Sequence, residues 1–205
     1  MCEQASYSNF QAGEKLEVLE NCPIIASNRE HKRVQDSNGH WHYYSKLVLA
    51  LGSAPFVPGI DHIDCRNVYT FRDLKDTQAL SARNLTSRHT VIIGGGLLGL
   101  ETARAMQRNN TRVTVVQMAG HLMNQQLDQG AAALLQQAVE RLGIDVICNA
   151  RASAIIPDGN DYNTTRPRVG GLRLDTGQVL DCDTVVVAAG IRPRTELALQ
   201  HGLGV

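Results

Sequence analysis

Three glycines, Gly94, Gly96 and Gly99, stand at the spacing G-x-G-x-x-G directly after a short apolar stretch. In a turn between a β-strand and an α-helix, this spacing is typical of sites that bind the pyrophosphate of a dinucleotide. The first glycine permits the tight turn, the second lets the backbone approach the phosphates, and the third lets the helix pack closely on the sheet. The helix N-terminus adds unpaired N–H groups and a partial positive charge, which both favour a dianion.

The residues on either side favour this interpretation over an ordinary structural turn, in which three glycines can also occur. Val91–Ile93 is a β-branched run, typical of a parallel strand that is covered on both faces. A second strand is predicted over Arg112–Gln117, and its end lies 23 residues after Gly94, close to where a ribose-binding residue is expected. Between the two strands, apolar residues recur at helical spacing: Leu97, Leu100, Ala103 and Met106.

The composition limits the class of protein and of ligand. Lys+Arg and Asp+Glu number 20 each, so no net field favours nucleic acid or an anionic membrane. There is no 18-residue apolar run and no export signal, so we expect a soluble, cytoplasmic protein. The five cysteines are an odd number without a C-x-x-C motif, and the seven histidines lack metal-ligand spacing. We therefore predict reduced thiols and no metal site.

The first part of the chain is predicted to be rich in strands. A hairpin is predicted from Asn21–Ala26 and Arg33–Tyr44, turning near Ser37–Gly39. A continuous apolar strand is predicted over Lys46–Leu51. The prolines and glycine between residues 55 and 59 exclude regular structure and mark a crossing from one domain to the next.

Around the glycine turn, helices and strands alternate in the order β-α-β-α-β, followed by an antiparallel excursion and a closing strand. This order predicts an α/β fold, a Rossmann-like dinucleotide-binding domain with a parallel sheet and an antiparallel β-meander. The remaining elements are predicted as helices over Asp73–Asn84 and Ala131–Leu142, a strand over Asp145–Cys148, a meander from Ser153–Ile156, Gly171–Leu174 and Val179, and a buried strand over Thr184–Ala189.

Three segments together resemble a known family. They are Tyr44-Ser-Lys-Leu-Val-Leu-Ala-Leu-Gly-Ser53, the glycine turn, and Ala188-Ala-Gly-Ile-Arg-Pro193. This combination resembles the FAD-dependent NAD(P)H reductases of the pyridine nucleotide–disulfide oxidoreductase superfamily. Within it, His121-Leu-Met-Asn-Gln-Gln-Leu-Asp128 is most similar to nitrite reductase large subunits, with rubredoxin and ferredoxin reductases close behind.

The resemblance implies that the chain is divided between two domains. We expect residues 1–55 to be a β-rich part of an FAD domain, residues 56–186 to be the NAD(P)-binding domain, and residues 187–205 to begin the return to the FAD domain. Such reductases also carry an earlier G-x-G-x-x-G for FAD and a later Gly-Asp segment that holds the flavin, and this sequence contains neither. We therefore expect a fragment or a truncated product that is inactive alone.

The resemblance also implies a reaction, hydride transfer from nicotinamide C4 to flavin N5, for which the protein supplies position and electrostatics. The glycines would hold the pyrophosphate, together with the N–H groups of Leu97 and Leu98. Glu101 would place a carboxylate beside the nicotinamide amide, unless it is only a solvated glutamate in the first turn of the helix. The backbone of Gly190 and Ile191 would lie along the nicotinamide ring.

The segment expected near the FAD departs from the family pattern. Ala50 and Gly52 correspond to the end of a strand that approaches the flavin, but Leu51 stands between them where the family has threonine. Ser45 and Arg194 are also unusual for the family. These departures do not forbid flavin binding in a longer chain, but they leave room for a degenerate copy.

Gln117 stands where an acidic residue would bind the adenosine ribose hydroxyls and repel the 2′-phosphate of NADP. A neutral acceptor weakens NAD binding by about 1 kcal/mol relative to a carboxylate and removes that repulsion. NADP binding favours an arginine just beyond this position, but Met118–Asp128 contains no arginine, only His121. NADH is therefore the better expected substrate, with NADPH weaker and the discrimination small.

Three functions remain open at this point. The chain could be the nicotinamide-binding part of an NADH-dependent flavoprotein reductase, a degenerate module that binds NAD(H) without redox turnover, or a scaffold that binds nothing. The intact glycines and Glu101 favour the first two. As the electron acceptor, the resemblance implies either a fused nitrite-reducing module or a separate rubredoxin- or ferredoxin-like protein.

Overall fold

The computed structural model describes residues 17–71, 74–108, 110–161 and 164–204. They form two compact units, one with the residues up to Gly52 and from Arg194 onward, the other comprising Ser53–Pro193. The described strands are β1 (Ile24–Asn28), β2 (Arg33–Asp36), β3 (Trp41–Tyr43), β4 (Ser53–Pro55), β5 (Val68–Thr70), β6 (His89–Ile93), β7 (Arg112–Val116), β8 (Ile144–Ile147), β9 (Ala152–Pro157), β10 (Val169–Leu174), β11 (Val179–Asp181), β12 (Thr184–Val187) and β13 (Ile191–Pro193). The described helices are α1 (Leu74–Asn84), α2 (Leu97–Met106), α3 (Gln129–Arg141) and α4 (Glu196–Gln200).

The larger unit is built on a five-stranded parallel sheet with the strand order β5-β12-β6-β7-β8. Its three central strands are runs of β-branched residues that are buried almost from end to end. Such runs are typical of parallel strands covered on both faces, because a strand with one solvated face alternates apolar and polar residues. The predicted α/β fold is confirmed.

Alternate side chains of this sheet belong to two separate cores. Val91 and Val187 pack into one core with residues of the antiparallel sheet β11-β10-β9, such as Leu172. Ile92 and Val186 pack into the other core, with residues of α1, α2 and α3. Helices therefore cover one face of the parallel sheet, and the predicted meander, which is confirmed, covers the other.

The predicted elements of this unit are confirmed with shifts of one or two residues. Helix α3 begins earlier than predicted, because Asp128 caps it through Oδ1, which accepts a hydrogen bond from the Ala131 amide at 2.8 Å. Gly143 ends it with φ of +79°. The three-residue strands β4, β5 and β13 were not predicted, because only their pairing partners make them strands. The predicted helix start at Asp73 lies outside the described residues, as do residues 1–16.

In the smaller unit, the predicted hairpin is instead a three-stranded sheet, β1-β2-β3. The turn predicted near Ser37–Gly39 is present, and it divides the segment Arg33–Tyr44 into β2 and β3. Asp36 causes the division, because its Oδ1 accepts hydrogen bonds from the amides of Asn38 and His40, each at 2.9 Å. A separate turn at residues 29–32 connects β1 to β2.

The strand predicted over Lys46–Leu51 is wrong. These residues adopt no strand structure, and no segment among the described residues pairs with them. Val48 is 86% exposed. A strand requires a neighbour for its backbone hydrogen bonds, so an apolar run alone does not produce one.

Within the described ranges, no helix combines the length and the apolar character that crossing a bilayer requires.

Candidate functional site

The glycine turn lies at the carboxyl edge of the parallel sheet, where the order of the strands reverses. Gly94 directly follows β6, and its amide donates to the carbonyl oxygen of Val116 at the end of β7, 2.8 Å away. On the other side, the Ala188 amide donates to the Ile93 carbonyl oxygen at 2.9 Å. From β6 the chain continues to β7 and then to β8 on one side of β6, whereas the later strand β12 pairs with its other side. Ligands of open α/β sheets bind at such a switch point.

Two of the three glycines are required by close backbone contacts. Gly94 has φ of +119°, and a side chain there would overlap the carbonyl oxygen of Ala188. A side chain at Gly99 would overlap the carbonyl oxygen of Gly94. The turn therefore packs β6, α2 and the end of β12 against one another without room for a Cβ.

Gly96 is different, because a Cβ there would meet no atom within 4 Å. It is the N-cap residue of α2, with extended backbone and no side-chain cap. The first amides of a helix have no partner within the helix, so α2 presents its free N–H groups toward this open space. Open space in front of a helix N-terminus fits a pyrophosphate. Any side chain larger than that of glycine at position 96 would fill this space.

The predicted residues of α2 lie at its exposed start. Leu97 and Leu98, the first two helical residues, are both exposed. Glu101 is exposed, and its carboxylate has no hydrogen bond or ion pair within the part of the chain that the structure describes. Because α2 begins at Leu97, Glu101 lies beyond the first turn, which contains no acidic residue. Glu101 is therefore a solvated glutamate of the second turn rather than the first, and its contact with a nicotinamide amide stays a prediction.

Gln117 is buried, and its side chain binds the glycine turn. Its Oε1 accepts a hydrogen bond from the Gly95 amide at 2.9 Å. Its Nε2 donates to Oδ1 of Asn124 at 2.9 Å and to the carbonyl oxygen of His121 at 3.4 Å. The sequence did not indicate Asn124, because its role depends on how the loop after β7 folds back. The same loop closes on the turn through the Met123 amide, which donates to the Gly95 carbonyl oxygen at 2.9 Å.

His121 is half-buried, and its ring Nδ1 lies 2.9 Å from the carbonyl oxygen of Leu122. A cation from elsewhere in the sequence lies beside the residues after Gln117: Nη2 of Arg151 is 3.0 Å from Sδ of Met118. Arg151 precedes β9 and is distant in sequence from Met118. The residues that directly follow Gln117 in the sequence therefore did not indicate this arginine.

The predicted nicotinamide loop directly follows β12. Gly190 has φ of +114°, and no atom lies within 4 Å of the position of a Cβ. Its carbonyl oxygen accepts from the Phe56 amide at 2.9 Å, and Ile191, which is exposed, pairs with Pro55 in the antiparallel β13-β4 sheet. The structure thus brings together the ends of β6, β7 and β12. Ala50 and Gly52 belong to the other compact unit, where Ala50 is exposed and Gly52 has φ of +67°.

Three possible metal ligands, Cys22, Asp36 and His42, have their donor atoms within 4.8 Å of one another in the smaller unit. Cys22 Sγ donates to Oδ2 of Asp36 at 3.4 Å, and Nε2 of His42 lies 3.0 Å from the same oxygen. The hydrogen bond from His42 lowers the pKa of Asp36 well below its usual range. The cluster is a hydrogen-bonded anchor of the β2–β3 turn, and the fold rather than the residue spacing brings it together.

Comparison with known proteins agrees with this geometry. A family model described as pyridine nucleotide-disulphide oxidoreductase matches residues 3–205. The chain belongs to this family. Pyridine nucleotide-disulphide oxidoreductases are FAD- and NAD(P)H-dependent enzymes, so the predicted family and its cofactors are confirmed.

Individual relatives of the chain have related names. Nitrite reductase [NAD(P)H] of Bacillus subtilis (strain 168) is 36% identical over 190 residues, which are 93% of this chain and 23% of that protein. The nitrite reductase [NAD(P)H] large subunit of Klebsiella oxytoca is 37% identical over 197 residues, which are 95% of this chain and 19% of that protein. The ferredoxin reductase for the CYP199A2 system of Rhodopseudomonas palustris superposes with a TM-score of 0.82 at 28% identity, covering 90% of this chain and 44% of that one. The chain thus spans only part of each relative.

Proposed function

We propose that this chain is the NAD(P)H-binding part of an FAD-dependent oxidoreductase, which passes hydride from NADH to flavin and electrons on to an acceptor. The observation that supports this most directly is the open space at Gly96, in front of the uncapped N-terminus of α2. In a turn that only connects β6 to α2, nothing would require that space to remain empty. In this proposal Ser53–Pro193 binds the nicotinamide nucleotide, and the unit containing Ala50 and Gly52 belongs to an FAD domain.

The side chains and amides around the turn have separate roles in the proposal. The amides of Leu97 and Leu98 donate to the pyrophosphate, and Gly96 leaves space for it. The backbone at Gly190 and Ile191, which follows β12 at the same edge of the sheet, lies along the nicotinamide ring. Glu101 orients the carboxamide of that ring by accepting from its NH₂ group. When bound, the nicotinamide supplies the hydride and the flavin accepts it.

The acceptor is proposed from the names of the relatives. A nitrite-reducing module agrees with the two nitrite reductases, and a ferredoxin-like protein agrees with the ferredoxin reductase. An alternative is a degenerate module that binds NAD(H) without redox turnover. Leu51 favours this alternative, because it offers no polar side chain where the family has threonine.

A calorimetric titration of the purified chain with NADH tests the binding part of this proposal. We expect a micromolar to sub-millimolar Kd, and we expect Gly96→Val to abolish binding. The variant should remain folded, because the new Cβ meets no atom within 4 Å and an apolar N-cap costs only about 1 kcal/mol. Gly59→Val is the matched control, because Gly59 has equally open surroundings elsewhere in the same unit. A folded chain that binds neither NADH nor NADPH would overturn the proposal.

Reduction of bound flavin by NADH distinguishes the reductase from the degenerate NAD(H)-binding module. The polypeptide encoded by the whole reading frame is mixed with FAD, the unbound flavin is removed, and NADH is added without oxygen. Loss of the oxidised-flavin absorbance on adding NADH supports the reductase. Binding of NADH without retention or reduction of flavin supports the degenerate module.

A further inference from the structure

Arg151 lies beside the residues that follow β7, because the chain after β8 runs along them. The Asn149 amide donates to the Ala119 carbonyl oxygen at 3.1 Å, and the Ala150 amide donates to the Gln117 carbonyl oxygen at 3.2 Å. These backbone bonds fix Arg151 at the carboxyl edge of the sheet. Its own amide donates to Oδ1 of Asp175 at 3.0 Å, which anchors its backbone independently of its side chain.

The guanidinium group of Arg151 is exposed, and its contact with the chain is the thioether of Met118, at 3.0 Å. No carboxylate among the described residues forms an ion pair with it, although the Asp175 carboxylate binds its backbone amide. A thioether carries no charge and does not neutralise the cation. The positively charged guanidinium of Arg151 therefore lies beside Met118, the residue that follows Gln117, and remains available to an anion.

The end of the second strand of a dinucleotide-binding fold is where the adenosine ribose lies, and an arginine nearby accommodates a 2′-phosphate. Gln117 is neutral and does not repel that phosphate. The planar guanidinium of an arginine offers paired donors that match phosphate oxygens. We infer that Arg151 binds the 2′-phosphate of NADPH. This contact raises the affinity for NADPH and so reduces the difference between the affinities of the site for NADH and for NADPH. The inference rests on the proposed nucleotide site and specifies which nucleotides it accepts.

The effect should be confined to NADPH, because NADH carries only a hydroxyl at this position. Arg151→Ala should weaken NADPH binding about tenfold or more, the loss expected for a charge-assisted hydrogen bond, and should change the Kd for NADH by less than twofold. Arg151→Lys should restore part of the affinity, because it keeps the charge but not the paired donors. NADPH binding by the unchanged chain should also weaken more steeply with added salt than NADH binding.

The experiment is a calorimetric titration of each variant with NADH and with NADPH. Arg88→Ala is the matched control, since it removes an exposed arginine just before β6, at the opposite edge of the sheet. If NADH binds but NADPH does not, or if Arg151→Ala leaves NADPH affinity unchanged, the inference is overturned while the proposed function stands. If the folded chain binds neither nucleotide, the proposed function itself fails.

Discussion

The side-chain oxygen of Gln117 accepts a hydrogen bond from the buried backbone amide of Gly95, 2.9 Å away. An amide N–H only donates, so this contact fixes which end of the Gln117 carboxamide faces the glycine turn. The nitrogen is then left to donate to Asn124 and to the His121 carbonyl oxygen. Gln117 therefore holds the nucleotide-binding turn in shape, in addition to any contact that it makes with a ribose.

Replacing Gln117 by leucine should lower the free energy of unfolding by about 1–3 kcal/mol, because the buried Gly95 amide loses its acceptor. Urea unfolding followed by far-UV circular dichroism measures the change. Gln117→Glu is the control, since a carboxylate can still accept from Gly95. Equal unfolding midpoints for Gln117→Leu and the unchanged chain would contradict the structural role.

Gly99→Ala should destabilise the larger unit by about 1–3 kcal/mol, the typical cost of overpacking. The added Cβ would overlap the Gly94 carbonyl oxygen, and backbone atoms move less easily than a flexible side chain. Gly96→Ala is the matched control, because its Cβ meets no atom within 4 Å. Thermal unfolding of both variants checks this expectation, which fails if their midpoints fall by the same amount.

Local patterns predicted the larger unit well, because its central strands are determined by short runs of sequence. Val91–Ile93 is β-branched and buried on both faces, and the glycines that follow are fixed by contacts within a few residues or with the next strand. The strand over Lys46–Leu51 was predicted from the same kind of run and is wrong. Its apolar residues lack a paired neighbour among the described residues, and a strand depends on that neighbour.

The side chains that complete the candidate site could not be predicted in the same way. Asn124 reaches Gln117 only because the loop after β7 folds back on the glycine turn. Arg151 reaches Met118 only because β8 pairs with β7 and the chain continues alongside it. Neither residue belongs to a motif, and their spacing from the glycines has no period that a sequence pattern would detect.

Acid should destabilise the smaller unit through Asp36. The hydrogen bond from His42 lowers the pKa of this buried carboxyl group, so its contribution to stability is complete above the unfolded value, near 4. The contribution is lost as the pH falls from there through the lower folded pKa. Urea unfolding followed by the fluorescence of Trp41, the sole tryptophan, should therefore show a falling midpoint below about pH 4.

Asp36→Asn should be less stable already at pH 7, and its midpoint should change less with acid. Glu20→Gln, which removes an exposed carboxylate from the same unit, serves as the control and should follow the unchanged chain. A variant Asp36→Asn with the same pH profile as the unchanged chain would show that Asp36 does not anchor the β2–β3 turn.

The thiol of Cys182 should be the slowest of the described cysteines to react in the folded chain. Burial, together with the smaller effect of the neighbouring Asp183 and Asp181 carboxylates, raises its pKa to about 12, so almost no thiolate exists at pH 8. Cys148 is only half-buried, although burial also raises its pKa. Alkylation at pH 8, with each site quantified by peptide mass spectrometry, should label Cys148 much faster than Cys182.

As the control, both cysteines should react at similar rates once the chain is unfolded in urea. Equal rates in the folded chain would mean that the segment between β11 and β12 opens readily, contrary to the place of Cys182 in the core.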